Sequence, residues 1–235
     1  MTDNLVLSGG PTHDFAASAD RLCSLLSAEG IDSLVEDDLH RGLERLVDPG
    51  VAWDMVTVNA LAWTMAAERY RHLRADWAFV LTADEAEAMV AHVRAGGGLL
   101  ALHTAVICFD TQPLWSETVG AAWDWDRSSH PPLGEVQVRV ADAGRRHPLT
   151  AGLESFTIVD EAYGFLREEP GLVPLLVAEH GGRDHPLLWA RQVGAGRVVT
   201  DLLGHDASSF AHPVHAEILR RAARWVAGSR DQEQS

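Results

Sequence analysis

Apolar and polar positions follow two periods along the chain, and the switches between them mark the elements. Leu5–Leu7, Ile31–Val35 and Asp54–Asn59, which holds the run Met-Val-Thr-Val, are short and β-forming, and predict three strands. Between the first two, Phe15, Ala19, Leu22, Cys23 and Leu26 recur at helical spacing. Asp14 caps that helix, which ends before Gly30, and Cys23 on its stripe is assigned to the core. Leu39, Leu43 and Leu46 predict a short second helix. The stretch Ala60–Trp77 shows no dominant period, and Trp53, Trp63 and Trp77 read as packing residues. Thr82-Ala83-Asp84-Glu85 has capping-box spacing. The helix it opens runs to about Ala95 and buries Ala86, Met89, Val90 and Val93.

Gly96-Gly97-Gly98 ends that helix, and Leu99-Leu100-Ala101-Leu102 follows with no polar alternation. Such a run suits a strand buried on both faces of a parallel sheet. Downstream, Pro113–Val119 reads as a helix and Ala121–Pro132 as a loop. Glu135–Val140, Phe156–Asp160, Val173–Ala178, Pro186–Ala190 and Arg197–Leu203 read as strands, with a turn at Gly194-Ala195-Gly196. A last helix starts near Pro213 and buries Val214, Ile218, Ala222, Trp225 and Val226. Alternating strands and helices predict an α/β fold with a mostly parallel sheet. Without an internal repeat or linker, residues 1–228 are expected to form one domain, and 229–235 a polar tail.

Composition removes several chemistries. All 19 basic residues are arginine, so a Schiff-base lysine, a lysine-tethered pyridoxal phosphate and a Gly-Lys-Ser/Thr phosphate loop are excluded. The net charge of -15, with no basic stripe, argues against a nucleic-acid partner. Cys23 and Cys108 make no disulfide framework. There is no leader-type segment and no apolar run of membrane-spanning length, so a soluble cytoplasmic protein without a membrane partner is expected. A homo-oligomer is left open.

In open α/β sheets, ligands sit beyond the carboxyl ends of the strands. His103 follows the central strand, with small Thr104 and Ala105 beside it. His13 follows the first strand, in a Gly9-Gly10 loop that lacks the dinucleotide fingerprint. Asp160-Glu161 ends another strand, with Tyr163 close behind, and His205 follows the strand Arg197–Leu203. Adjacent strand residues point to opposite faces, so at most one of the two carboxylates enters a shared pocket. Histidines and a carboxylate suit proton transfer, and also a divalent metal such as Zn²⁺ or Mn²⁺, although no Cys-rich or His-Glu-x-x-His spacing is present. Trp123 and Trp125 offer either a platform for a sugar face or a shield for a sheet edge. His212-Pro-Val-His215 sits at a helix start expected to be exposed.

These pieces, in this order, resemble one family. Ser8-Gly9-Gly10 with His13, Gly96-Gly97-Gly98 with His103, Trp115 with Gly120, and His130-Pro131 come first. His147-Pro148, Asp160-Glu161-x-Tyr163, Pro186-Leu-Leu-Trp189, Gly194-x-Gly196-Arg197-Val198 and Leu203-Gly204-His205 follow. Over most of its length the chain resembles the ThuA-like (trehalose-utilization) proteins, of the class I glutamine amidotransferase-like fold. The resemblance implies a flavodoxin-like three-layer α/β/α sandwich and a role in carbohydrate metabolism, with trehalose-related or keto sugars as ligands. The amidotransferases place a cysteine at the elbow after the central strand; here His103 stands there and Cys108 comes five residues later. His205 is followed by Asp206 rather than by a His-x-Glu pattern. Glutamine hydrolysis through a cysteine is not expected, and Cys108 is expected to be dispensable. The expected catalytic set is His103, His205, Asp160 and Glu161, with His103 as general acid or base. The expected substrate-binding set is His13, Gly10, Thr104, Tyr163, Trp123 and His130. An enzyme of this kind would be a hydrolase, lyase or isomerase. The rival reading is a sugar-binding or regulatory module without catalysis.

Overall fold

The computed structural model describes residues 2–228. The predicted tail 229–235 lies outside them. In chain order, the strands are β1 (Thr2–Gly9), β2 (Ile31–Glu36), β3 (Met55–Ala60), β4 (Gly98–Leu102), β5 (Ala121–Ala122), β6 (Gly134–Val140), β7 (Phe156–Asp160), β8 (Arg167–Glu168), β9 (Pro174–His180), β10 (Arg183–Val193) and β11 (Gly196–Asp201). The helices are α1 (Phe15–Ser27), α2 (Leu39–Leu46), α3 (Arg71–Trp77), α4 (Ala83–Arg94), α5 (Pro113–Val119), α6 (Ala207–Ala211) and α7 (Pro213–Ala227).

Nine strands form one sheet in the order β2-β1-β3-β4-β11-β10-β9-β6-β7. The first five run parallel, and β10, β9, β6 and β7 extend them antiparallel. The parallel half has the doubly wound order of flavodoxin-like folds. Strand alternation distributes its side chains: Leu99 and Ala101 pack with α2, α4 and α5, while Leu100 and Leu102 pack with α1 and α7. Every residue of β4 is buried, as its unbroken apolar run requires.

Local rules account for the helix starts. Asp14 caps α1 by accepting from Ala17 N, and Asp38 caps α2. Thr82 and Glu85 form both bonds of the capping box, and the buried stripe of α4 is Ala86, Met89, Val90 and Val93 as expected. Several expectations are corrected. Cys23 is only half-buried, because Leu25 takes the core-facing position instead. Trp77 is 44% exposed at the end of α3, a helix inside the stretch that showed no period. In α7 the buried stripe passes through His215, Ala216 and Leu219, and Val214 and Trp225 are only partly covered. His215 is therefore fully buried, not exposed at a helix start. β11 stops at Asp201, two residues early, because Leu203 N turns back onto the Asp201 carboxylate.

Gly10 has a positional role set by sterics. Its φ is +129°, and a Cβ there would lie 2.4 Å from the Leu61 carbonyl oxygen, at the end of β3. Gly10→Ala should lower stability by about 1–3 kcal/mol from backbone strain alone, before any clash. Urea unfolding would show it as a reduced midpoint; an unchanged midpoint would remove the steric role.

Candidate functional site

Four strand ends meet on one edge of the sheet. His13 follows β1, and His103 follows β4. Glu161 follows β7, and His205 lies past β11. β7 runs in the same direction as β11, because three intervening strands reverse in turn. One potential ligand atom from each of the four residues lies within 4.8 Å of the others. The ring of His13 is 5.3 Å from that of His103 and 4.7 Å from that of His205.

The elbow holds His103 at φ 44°, in the left-handed region, where β4 turns at once into a tight helical turn. A side chain kept in that region needs surroundings that over-determine it. His103 is 2% exposed. Its Nδ1 lies 2.7 Å from Leu202 O, a carbonyl that can only accept, so Nδ1 carries the hydrogen. On the neutral imidazole Nε2 is then an acceptor for the buried Tyr163 hydroxyl, 3.1 Å away, and on the imidazolium it faces Glu161 Oε2 at 3.6 Å. Beside it Gly204 sits at φ +122°, and a Cβ there would press on Phe210 Cε2 at 3.0 Å.

Glu161 is the hub. Its Oε2 is 3.6 Å from His103 Nε2 and 3.3 Å from His205 Nδ1, and its Oε1 is 3.5 Å from His130 Nδ1. Burial works to raise its pKa, but His103, His130 and His205 outweigh it and hold the carboxyl at about 2. His13 is pushed the other way, to about 4, by burial first and then by His103 and His205. Near neutral pH the site thus has an ionised carboxylate beside a neutral His13 imidazole. Burial and nearby carboxylates keep the Tyr163 phenol well above its ordinary pKa, so it remains a donor. His13 Nε2 and His205 Nδ1 are buried with no hydrogen-bond partner among the described residues; the approach of His205 to Glu161 lacks hydrogen-bonding geometry.

The site opens into a cavity of about 350 Å³. His13, Glu161, His205, His130 and Tyr163 line its polar side. Trp63, Tyr70, Trp123 and Trp125 line the other, with Trp63 and Trp125 stacked at 6.0 Å and Tyr70 edge-on to Trp63 at 5.2 Å. His103 sits behind this wall rather than in it. Trp63 and Tyr70 went unrecognised as site residues. Trp63 carried the signature of a core residue, which it also is, and Tyr70 lies in the stretch without a period. Only the tryptophan density of 53–77 and 123–125 pointed to an aromatic wall.

Three predicted site residues are placed elsewhere. Gly10 does not line the cavity. Thr104 is buried and spends its hydroxyl on Ala60 O. Asp160 faces away from Glu161, as strand alternation requires, and is fully buried. It accepts from Glu161 N at 2.8 Å, Gly204 N at 2.9 Å, His205 N at 3.2 Å and the Ser209 hydroxyl. It positions the site without entering it.

Behind Asp160, Ser209, His215 and Asp201 line up like a hydrolytic triad, with His215 Nδ1 2.9 Å from Ser209 Oγ and Nε2 3.2 Å from Asp201 Oδ2. The Ser209 hydroxyl gives its proton to Asp160, and all three residues are buried, so the row is structural. Cys108 is likewise structural: its thiol donates to Ala60 O, and burial pushes it up to about 12.

A flavodoxin-like α/β sandwich with a histidine in the turn after its central strand and a carboxylate–imidazole cluster at its strand ends defines the class. The chain belongs to the ThuA (trehalose utilisation) family, whose model matches residues 55–226. No curated protein matches it in sequence. A ThuA-like protein from Parabacteroides merdae superposes with a TM-score of 0.72 at 19% identity, over 96% of this chain and 90% of that one. One from Bacteroides uniformis gives 0.70 at 17%, over 96% and 91%. A β-galactosidase from Rahnella sp. R3 gives 0.61 at 13%, with 96% of this chain matching 31% of the enzyme. At these identities the likeness is one of fold. None of the described helices is long and apolar enough to cross a membrane.

Burial works to lower the pKa of His215, yet Asp201, and further off Asp160, raise it above 6.5. A raised folded pKa stabilises fully below the unfolded value, and the contribution is lost as pH rises through the folded value. Wild-type melting temperature should therefore fall relative to His215→Gln as pH rises above the ordinary imidazole value of 6.5. A constant difference between the two proteins as pH rises would contradict the charged pair.

Proposed function

We propose that the protein takes a small sugar or keto sugar, trehalose-related in class, into the strand-end cavity and transfers protons to and from its oxygens. One observation carries the reading: an aromatic wall faces an imidazole–carboxylate floor across a space suited to a small ligand. Sugar rings offer an apolar face for stacking and a rim of hydroxyls for hydrogen bonding. Trp63, Trp123 and Trp125 supply the first contact; Glu161, His13 and His205 supply the second.

The proton carrier in this reading is His130, not His103. His103 is buried behind Tyr163 and Glu161 and has both nitrogens in use. His130 lines the cavity with its side chain 36% exposed. Its Nδ1 donates to Pro131 O at 2.9 Å, which leaves Nε2 as the base. Glu161 beside it stabilises the imidazolium formed on proton uptake. The family's association with trehalose utilisation supports the substrate class.

Binding is screened by thermal shift with trehalose, glucosides and their keto derivatives, and products are followed by NMR and mass spectrometry. Trp125→Ala should weaken the best ligand roughly tenfold, the worth of one lost aromatic stacking partner. His130→Asn should keep most affinity and lower turnover roughly 10²–10⁴-fold. A sugar that binds and is recovered unchanged would leave a binding module. Full turnover in His130→Asn would remove His130 from the chemistry.

A further inference from the structure

We propose that His13, His103, Glu161 and His205 form a site for one divalent transition-metal ion, zinc or manganese in kind, at the floor of the cavity. The donors are three imidazoles and a carboxylate with no thiolate, a set suited to such ions. They come from four separate strand ends, each tied down by backbone hydrogen bonds, so the cluster is held by the sheet rather than by one flexible loop.

The geometry is close to what a metal demands. Ligand atoms around tetrahedral zinc stand roughly 3.3 Å apart, given bonds of about 2.0–2.1 Å. Glu161 Oε2 already lies 3.3 Å from His205 Nδ1 and 3.6 Å from His103 Nε2, and the whole set falls within 4.8 Å. Closing on an ion needs side-chain shifts of under about 1 Å. Two of the nitrogens, His13 Nε2 and His205 Nδ1, are buried with no hydrogen-bond partner among the described residues. Buried polar atoms are nearly always satisfied, and a shared cation satisfies both at once. The outer nitrogens are already engaged: Leu202 O holds Nδ1 of His103, and Thr12 Oγ1 lies 3.1 Å from Nδ1 of His13. The carbonyl selects the His103 tautomer that leaves the Nε2 lone pair facing inward, and the Thr12 hydroxyl, which can accept, is compatible with the same tautomer of His13.

One group competes. The Tyr163 hydroxyl donates to His103 Nε2, the lone pair an ion would take, and must turn away when metal binds. His13 lies outside the stretch matched by the family model, so the fourth ligand depends on the β1 end of this chain. His13, Glu161 and His205 all line the cavity, so an ion among them would face its contents. Two neighbouring sugar oxygens, a hydroxyl and a carbonyl, would complete the coordination. That last point rests on the sugar reading; the metal site itself does not.

The test uses untagged full-length protein. Metal content is measured on the purified protein, which is then stripped by chelation and titrated with Zn²⁺, Mn²⁺ and Co²⁺. The expected result is saturable binding of about one equivalent, a rise in melting temperature, and visible absorption with Co²⁺ from a low-coordinate nitrogen–oxygen site. His13→Gln and Glu161→Gln should each weaken binding by at least about tenfold, while Tyr163→Phe should bind as tightly or more so. Absence of saturable binding of all three ions to folded wild-type protein would overturn the proposal, whatever the variants do. So would binding that is indifferent to both His13→Gln and Glu161→Gln. Sugar binding is measured separately on stripped and loaded protein. Metal without sugar sinks the sugar reading alone, and sugar without metal sinks this one alone.

Discussion

The geometry of the site depends on the buried carboxylate of Asp160. It accepts four hydrogen bonds, three from backbone N–H groups and one from the Ser209 hydroxyl. Those donors belong to the end of β7, to the turn after β11 and to α6. In the sheet order β7 is four strands from β11, so no ladder bonds join them. The carboxylate therefore ties the far end of the antiparallel extension to the parallel half. The next residue in the chain, Glu161, and the backbone of His205 are fixed by the same two oxygens. Removing one partner from such a network leaves several buried donors unsatisfied, which costs far more than one hydrogen bond.

The two halves of the sheet contribute differently. The parallel half supplies imidazoles from the ends of β1, β4 and β11, where an open α/β fold gathers ligands. The antiparallel half supplies the carboxylate and Tyr163. The loops between supply the aromatic wall. The turn after β4 holds His103 at a strained, left-handed φ, and the nearest thiol, Cys108, is buried and protonated. A serine–histidine–aspartate row exists, yet its hydroxyl proton is committed to Asp160. The strand-end framework is thus present without an activated nucleophile among these residues, and the charge balance at the strand ends centres on Glu161.

Local pattern alone determined a good part of this protein. The continuous apolar run Leu99–Leu102 required a doubly buried strand, and Thr82 with Glu85 required a helix start, because both signals are satisfied by neighbours within a few residues. Strand alternation separated Asp160 from Glu161 before any contact was visible. The strand-end rule brought His13, His103 and His205 together with one of Asp160 and Glu161, and the structure chose Glu161. What only the tertiary structure decided were relations across the sheet. Periodicity contains no term for which face a Trp63 or a His215 meets, so one is both core and cavity wall and the other is buried beside Asp201. Thr104 and Gly10 looked like cavity residues because small residues follow strands there. Their roles were set instead by Ala60 and Leu61, more than forty residues away. Hydrogen-bond partners and close backbone approaches at such separations are consequences of chain packing, and no local pattern encodes them.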